Sequence, residues 1–434
     1  MVEVQLQKRR ESPVQVLIVG AGFVGLNAAK ALGNRDGIEI TVLDRQNHHL
    51  FQPLLYQVAT AELSPADIAA PIRSILSSRR NVRVLLGTAQ SVDAATRRVA
   101  TDIGEFSYDY LVLGCGSTHT YFGHEEWEVY APGLKTLPQA TEIRRRVLSA
   151  FEAAEREIDP ACHRRMLTFV IVGGGPTGVE LAGAIGEMSR YTLARDFRRI
   201  DSRQARVVLI EAGARILPTF SADLAQRAQR DLESLGVQVR LSCMVTGASA
   251  QGVEMGAERI DAATILWAAG VHASQIGATL GVELDRAGRV TVGPDLTIAG
   301  HPELFVAGDL ARCQDLKQDR LLPGVAPVAM QQGLYIGRTI SNDLRGRARE
   351  PFRYHDKGQL ATIGRSRAIC EIGGMHFGGH FAWWLWLLVH IYALTGFRNR
   401  VSVTLEWAWS FFTFGRGARL IVPHEWRQYS SDDG

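Results

Sequence analysis

One pattern that occurs twice constrains this chain more than any other: a short apolar strand, a Gly-x-Gly-x-x-Gly turn, a helix-forming stretch, a second apolar run and a terminal acid. The first copy runs from Val14 to Val19, through the turn of Gly20, Gly22 and Gly25 and the stretch LNAAKALGNR, to Ile38–Leu43 and Asp44. The second runs from Leu167 to Val172, through Gly173, Gly175 and Gly178 and a helical stretch from Val179, to Ala205–Ile210 and Glu211. In each turn the first glycine permits the tight bend and the second lets a pyrophosphate approach the backbone. The third lets helix and strand pack closely, with the phosphate at the helix N-terminus. An acid about twenty residues later, at a strand end, can take the ribose hydroxyls. The expected fold is therefore α/β, with two Rossmann-like dinucleotide-binding domains.

Two such units in one chain imply one fixed and one exchanging nucleotide. The segment LFVAGD, ending at Gly308 and Asp309, offers an acid that can reach a ribityl chain, which places a flavin at the first unit and a nicotinamide at the second. Glu211 repels a 2′-phosphate, so NADH is favoured over NADPH, with Arg215 the nearby counter-indication. Polar turns at Asp159-Pro160 and Gly288 suggest residues 12–159 as the first part of the FAD-binding domain and 160–287 as the NADH-binding domain. Residues 288–350 then complete the FAD-binding domain, and 351–434 form a C-terminal region.

Other chemistries find little footing. A net charge of +3, from 48 basic and 45 acidic residues, has no concentrated stripe suited to nucleic acid. The 5 cysteines show no CxxC or CxxxxC spacing, which argues against zinc cages and redox disulfides. His48 and His49 lack further ligands at metal spacing, Ser117 is not in a nucleophile elbow, and Cys115 reads as a packed residue. Residues 1–13 hold no apolar run, so no secretory signal is expected.

From Ile372 to Phe397 there is no Asp, Glu, Lys or Arg, and FAWWLWLLVHIYALTG is densely aromatic. Its core, Phe381 to Thr395, is shorter than the roughly 20 residues of a membrane-spanning helix. A second run, Trp407 to Phe414, follows, with Arg398, Arg400, Arg416 and Arg419 around it. Tryptophan-rich surface bordered by arginine suits an anchor lying on one leaflet of a lipid bilayer. A buried hairpin or a homodimer contact is the alternative.

Taken together, DRQNHHLFQPLLYQVATAELSP (Asp44–Pro65), GGGPTGVELAG (Gly173–Gly183), VAGDLA, PGVAPVAMQQG, YHDKGQLATIGR and GFRNR resemble the type II NADH dehydrogenases. The resemblance extends from about Val14 to Val422. It implies a single-subunit FAD enzyme that passes electrons from NADH to a membrane quinone without pumping protons, at the cytoplasmic face of the inner membrane, peripherally or monotopically bound. It assigns Gly20, Gly22, Gly25, Asp44, Gly308 and Asp309 to FAD, and Gly173, Gly175, Gly178 and Glu211 to NADH. Glu180 matches a glutamate near both redox rings; the alternative is a helix first-turn acid favoured by the dipole. Pro327 stands where the family's quinone-side motif has its first glutamine, and Gln331 keeps the second. A redox-sensing NADH-binding flavoprotein, a soluble NADH-dependent reductase and a sulfide:quinone oxidoreductase with paired cysteines are the rival readings.

Overall fold

The computed structural model describes residues 12–317, 319–413, 415 and 418–422. Phe414 and Arg416 of the aromatic tail, and residues 1–11, lie outside the described residues.

The chain forms two compact units. The first gathers residues up to 50, 69–120 and 271–357. Its centre is a six-stranded sheet ordered Thr297–Ile298, His301–Val306, Tyr110–Leu113, Val14–Val19, Ile38–Asp44, Val82–Leu86. All neighbours are parallel except the first pair. Strands buried on both faces read as continuous apolar runs, and Val14–Val19 is buried at five of its six positions. Helix Phe23–Leu32 connects Val14–Val19 to its parallel neighbour Ile38–Asp44, with Val19 paired to Leu43. Against it lies helix Ala326–Asp343. Close approach is possible because the facing positions are glycines: a Cβ on Gly333 would fall on the Val24 carbonyl, and one on Gly337 would come within 2.6 Å of the Ala31 Cβ. Pro327 sits in the first turn of the Ala326–Asp343 helix, where its missing N–H leaves no hydrogen bond unmade.

The second unit gathers residues 51–68, 121–270 and 358–434. A four-stranded parallel sheet is ordered Val237–Arg240, Arg206–Ile210, Thr168–Val172, Thr264–Trp267. Helix Leu137–Arg156 opens on a capping box between Thr136 and Gln139, and buries Phe151 in a stack 5.2 Å from Phe169 of the central strand. That packing explains why the polar turn at Asp159-Pro160 does not coincide with a unit boundary. The turn at Gly288 does not either, because Val271–Ala273 already pairs with Ser117–His119 of the first unit. Nor does the C-terminal region stand apart. Strands Gln359–Gly364, Arg367–Ile372 and Met375–Gly378 form an antiparallel sheet within the second unit.

Helices His380–Ala393 and Phe397–Thr413 are the last two among the described residues. The first is about 21 Å long at 1.5 Å per residue, and among the described residues no helix is long and apolar enough to cross a membrane. Each has two faces. Ala382, Trp386, Leu387, Val403 and Trp407 are buried, whereas Phe381, Trp384, Leu388 and Tyr392 on one helix, and Val401, Leu405, Trp409 and Phe412 on the other, are exposed.

Helix Pro176–Glu187 packs on strand Gln359–Gly364 through Gly183, whose added Cβ would collide with the Ile363 carbonyl oxygen. Overpacking of this kind costs about 1–3 kcal/mol. Gly183→Ala is expected to lower the thermal midpoint by several degrees; an unchanged midpoint in a calorimetric scan would show that the two elements are not held this closely.

Candidate active site

The two glycine turns are built alike. Gly20 has φ +94° and Gly173 φ +108°, values that L side chains rarely adopt. Their hypothetical Cβ atoms would come within 2.6 Å of the Gly114 carbonyl oxygen and 2.7 Å of the Ala269 nitrogen. Gly25 and Gly178 are demanded by sterics too, since their Cβ atoms would strike the carbonyl oxygens of Gly20 and Gly173. The middle glycines differ. Around Gly22 the nearest atom to an added Cβ is 3.9 Å away, and around Gly175 there is nothing within 4 Å. Nothing inside the protein requires glycine there, whereas a phosphate seated on the N-termini of helices Phe23–Leu32 and Pro176–Glu187 does. Both turns therefore fit a dinucleotide.

The strand-end acids fix these turns. Asp44 Oδ2 accepts from the Ala21 N–H at 2.6 Å and Oδ1 from the Gln46 N–H at 2.7 Å. Glu211 Oε2 accepts from the Gly174 N–H and Oε1 from the Gly213 N–H, both at 2.6 Å. Each carboxylate oxygen has a second lone pair for a ribose hydroxyl. Burial raises the Asp44 pKa against the pull of its two amides. His49, buried beside this turn, donates from Nδ1 to the Ala21 carbonyl, and burial lowers its pKa to about 4. It is a neutral brace. Among the described residues no cluster of His, Cys, Asp or Glu could hold a metal ion.

Near the end of the first unit's chain, Gly308 adopts φ +70°, and Asp309 Oδ2 accepts from Ser117 Oγ at 2.7 Å. The Gly308 N–H donates to the Oε1 of buried Gln332 at 2.7 Å. Gln331 next to it has both ends of its amide engaged: Nε2 donates to the His355 carbonyl and Oε1 accepts from the His355 N–H, each at 3.0 Å. It acts as a clamp between helix and loop, and its expected contact with a quinone gains no support from this placement.

Glu180 lies five residues past the Gly175 N-cap of helix Pro176–Glu187, whose first turn holds no acid. The first-turn reading thus fails. It lines an open cavity of about 530 Å³, the solvent at its mouth included, together with Gln57, Glu62, Glu187, Thr362, Arg365, Trp386, Trp407 and Phe411. As a residue Glu180 is partly exposed, yet neighbouring atoms displace almost all water from its carboxyl. Desolvation pushes its pKa up to about 8, against a hydrogen bond from the Thr362 backbone that lowers it. At neutral pH it is a carboxylic acid with a proton to give. The cavity's far wall is held by Gln57, buried, whose Oε1 accepts from Trp407 Nε1 at 3.0 Å and whose Nε2 donates to the Tyr56 hydroxyl at 3.2 Å.

Comparison with known proteins agrees with this architecture. The sequence profile of the pyridine nucleotide-disulphide oxidoreductases matches residues 14–333, and that of the NDH2 C-terminal domain matches residues 356–417. The chain is 43% identical over 427 residues to the type II NADH:quinone oxidoreductase Ndh of Mycobacterium tuberculosis, covering 95% of this chain and 91% of that one. It is 44% identical over 426 residues to NdhA of the same organism, covering 94% and 89%. This chain belongs to the type II NADH:quinone oxidoreductase family. In fold it is similar to the structure of NDH2 from Plasmodium falciparum in complex with NADH, with a TM-score of 0.86 at 17% identity over 94% of this chain and 100% of that one.

Membership of the type II NADH:quinone oxidoreductases also sets the cysteines aside. All five are free, and burial pushes Cys115 up to about 12 and Cys313 and Cys370 up to about 11, so none of these three is a ready thiolate. Sequence reasoning weighed Ser117 only as a nucleophile and passed over Gln332 and Gln57, although both glutamines lie in segments that carry the resemblance, PGVAPVAMQQG and HHLFQPLLYQVA.

Gly175 and Gly178 yield contrasting expectations. Gly175→Ala meets no neighbour at ordinary backbone angles, so it should move the thermal midpoint little and raise the KM for NADH. Gly178→Ala should lower the midpoint itself. Equal midpoints in a melting experiment would refute this division of labour.

Proposed function

We propose that Gly20, Gly22, Gly25, Asp44, Gly308 and Asp309 hold FAD, that Gly173, Gly175, Gly178 and Glu211 hold NADH, and that the cavity beside Glu180 receives the quinone. The protein is a single-subunit, non-proton-pumping NADH:quinone oxidoreductase. Overall, NADH, one proton and a quinone give NAD⁺ and a quinol. Bound FAD supplies a two-electron carrier between the two substrates. The chain's part is positioning, proton supply and exclusion of water. The N–H groups at the two helix N-termini bind pyrophosphate, and the acids at the strand ends select and orient ribose. Glu211 disfavours a 2′-phosphate by charge.

The observation that carries the quinone reading is the protonated carboxyl of Glu180 in a cavity walled by tryptophans. A quinone gains two protons as it becomes a quinol, and one must come from the protein or water. Glu180 holds a proton up to about pH 8 and places it where an apolar ring can enter. Trp386 and Trp407, which wall the cavity, sit on the two helices whose other faces are exposed and apolar. Those faces rest on the membrane surface, on its cytoplasmic side, and a lipid-soluble quinone enters from there.

Four tests follow from this assignment. In an anaerobic titration, NADH should bleach the flavin band and added quinone should restore it; bleaching without recovery would favour a sensor. Quinone reduction should be level below about pH 8 and decline above it, with that inflection absent in Glu180→Gln. Stability provides an independent check. An unfolded glutamate releases its proton near 4.5 and the folded one near 8, so ionisation costs stability progressively as pH rises through that window. The thermal midpoint of Glu180→Gln should accordingly gain on the parent from pH 5 to pH 9, and a constant difference would contradict the buried acid. Replacing Phe381, Leu388 and Tyr392 together by serine should release the protein from vesicles in a sedimentation assay, and unchanged binding would refute the anchor.

A further inference from the structure

The cavity holds a second polar group that the activity has not yet engaged. Trp386 is 2% exposed, and its indole Nε1 is buried with no hydrogen-bond partner among the described residues. Buried donors left unpaired are rare in native proteins, because each forfeits its hydration without compensation. The neighbouring Trp407 shows what the same group does when served internally, its N–H going to Gln57. The Trp386 ring is packed against two others, stacked 4.2 Å from the His390 ring and tilted 5.3 Å from the Trp407 ring. His390 is itself tethered, since its Nδ1–H donates to the Trp386 carbonyl at 2.7 Å. A buried indole packed against two rings has little freedom to turn its N–H elsewhere, so the donor is set in place before any ligand arrives. Trp386 also lines the same cavity as Glu180.

We infer that the Trp386 indole N–H donates a hydrogen bond to one carbonyl oxygen of the bound quinone, and so selects ligands that carry an acceptor there. The inference rests on the reading of this cavity as the quinone site. A para-quinone has two carbonyl oxygens and no donor of its own, and among the donors lining the cavity Glu180 and the indole are of different kinds. Glu180 can lose its proton to the product. The indole cannot titrate in water and serves only to bind and orient. Trp386 is on this view a binding residue, with no part in proton transfer.

The test uses the full-length flavin-loaded protein in mild detergent, with 1,4-naphthoquinone as probe. In the parent labelled with ¹⁵N at its tryptophan side chains, one of the 8 indole N–H signals should move downfield as the quinone is added to the oxidised protein. In Trp386→Phe, which keeps an aromatic ring and removes the donor, that signal should be missing. The dissociation constant for the quinone should rise about tenfold, the scale of a polar group left unpaired on burial. The rate of flavin reoxidation by subsaturating quinone, taken relative to the rate of bleaching by NADH, should fall to match. Ala184→Trp, which fills the cavity, separates the two readings. If it blocks quinone reduction while Trp386→Phe binds the quinone as the parent does, the indole assignment is overturned and the cavity stands. If neither variant affects the quinone, the cavity reading falls and the indole assignment falls with it. Should Trp386→Phe fail to fold, the titration of the parent decides alone, and eight stationary indole signals would overturn the inference.

Discussion

A carboxylate bonded to the backbone amide of a glycine turn is the interaction on which both nucleotide sites depend. Asp44 does this for the Ala21 amide and Glu211 for the Gly174 amide, at the same distance. Charge-assisted bonds of this kind are worth about 1.5–3 kcal/mol each. Their larger effect is geometric, because they tie the end of one strand to the turn that follows its neighbour. Without that tie the left-handed glycines at 20 and 173 would have no reason to hold their bend. The acid proposed to read the ribose is thus the one that shapes the glycine turn, which accounts for turn and acid occurring together in both halves of the chain.

Much of this was legible in the sequence because it is local or periodic. The strand–turn–helix order, the acids at 44 and 211, and the contrast between the aromatic tail and the rest of the chain all survive into the structure. What was not legible depends on long-range meeting. Ser117 and Asp309 are 192 positions apart, and Gln57 and Trp407 are 350 apart. No spacing rule connects such pairs. The domain limits went astray for a related reason. Polar turns at 159 and 288 look like boundaries, but Phe151 packs on Phe169 and Val271–Ala273 pairs with Ser117–His119. Packing, not turn chemistry, decides which segments belong together. Gln331 shows the converse, a residue whose motif suggested a ligand and whose amide is committed to the His355 backbone.

The cavity of the second unit illustrates how a low-dielectric site obtains a usable acid. Glu180 has no neighbouring cation among the causes that shift it, and burial alone outweighs its single backbone hydrogen bond. The burial that places Glu180 beside the tryptophan rings of the cavity therefore also keeps its carboxyl protonated. His390, its pKa lowered to about 4 by the same means, remains neutral in the helix that bears Trp386. Glu62, Glu187 and Arg365 also line the cavity, so its charged groups share one compartment with the protonated acid and the tryptophan rings.

Under the proposed assignment, helix Pro176–Glu187 is a single rod serving two substrates. Its first backbone amides face the dinucleotide turn, and five residues further along, about 7.5 Å at the α-helical rise, its Glu180 side chain enters the cavity. The helical repeat therefore acts as a ruler and a protractor at once. One residue inserted between Gly178 and Glu180 would leave the turn's chemistry intact while swinging the acid about 100° around the axis. The length of this stretch is therefore as much a functional character as any of its side chains.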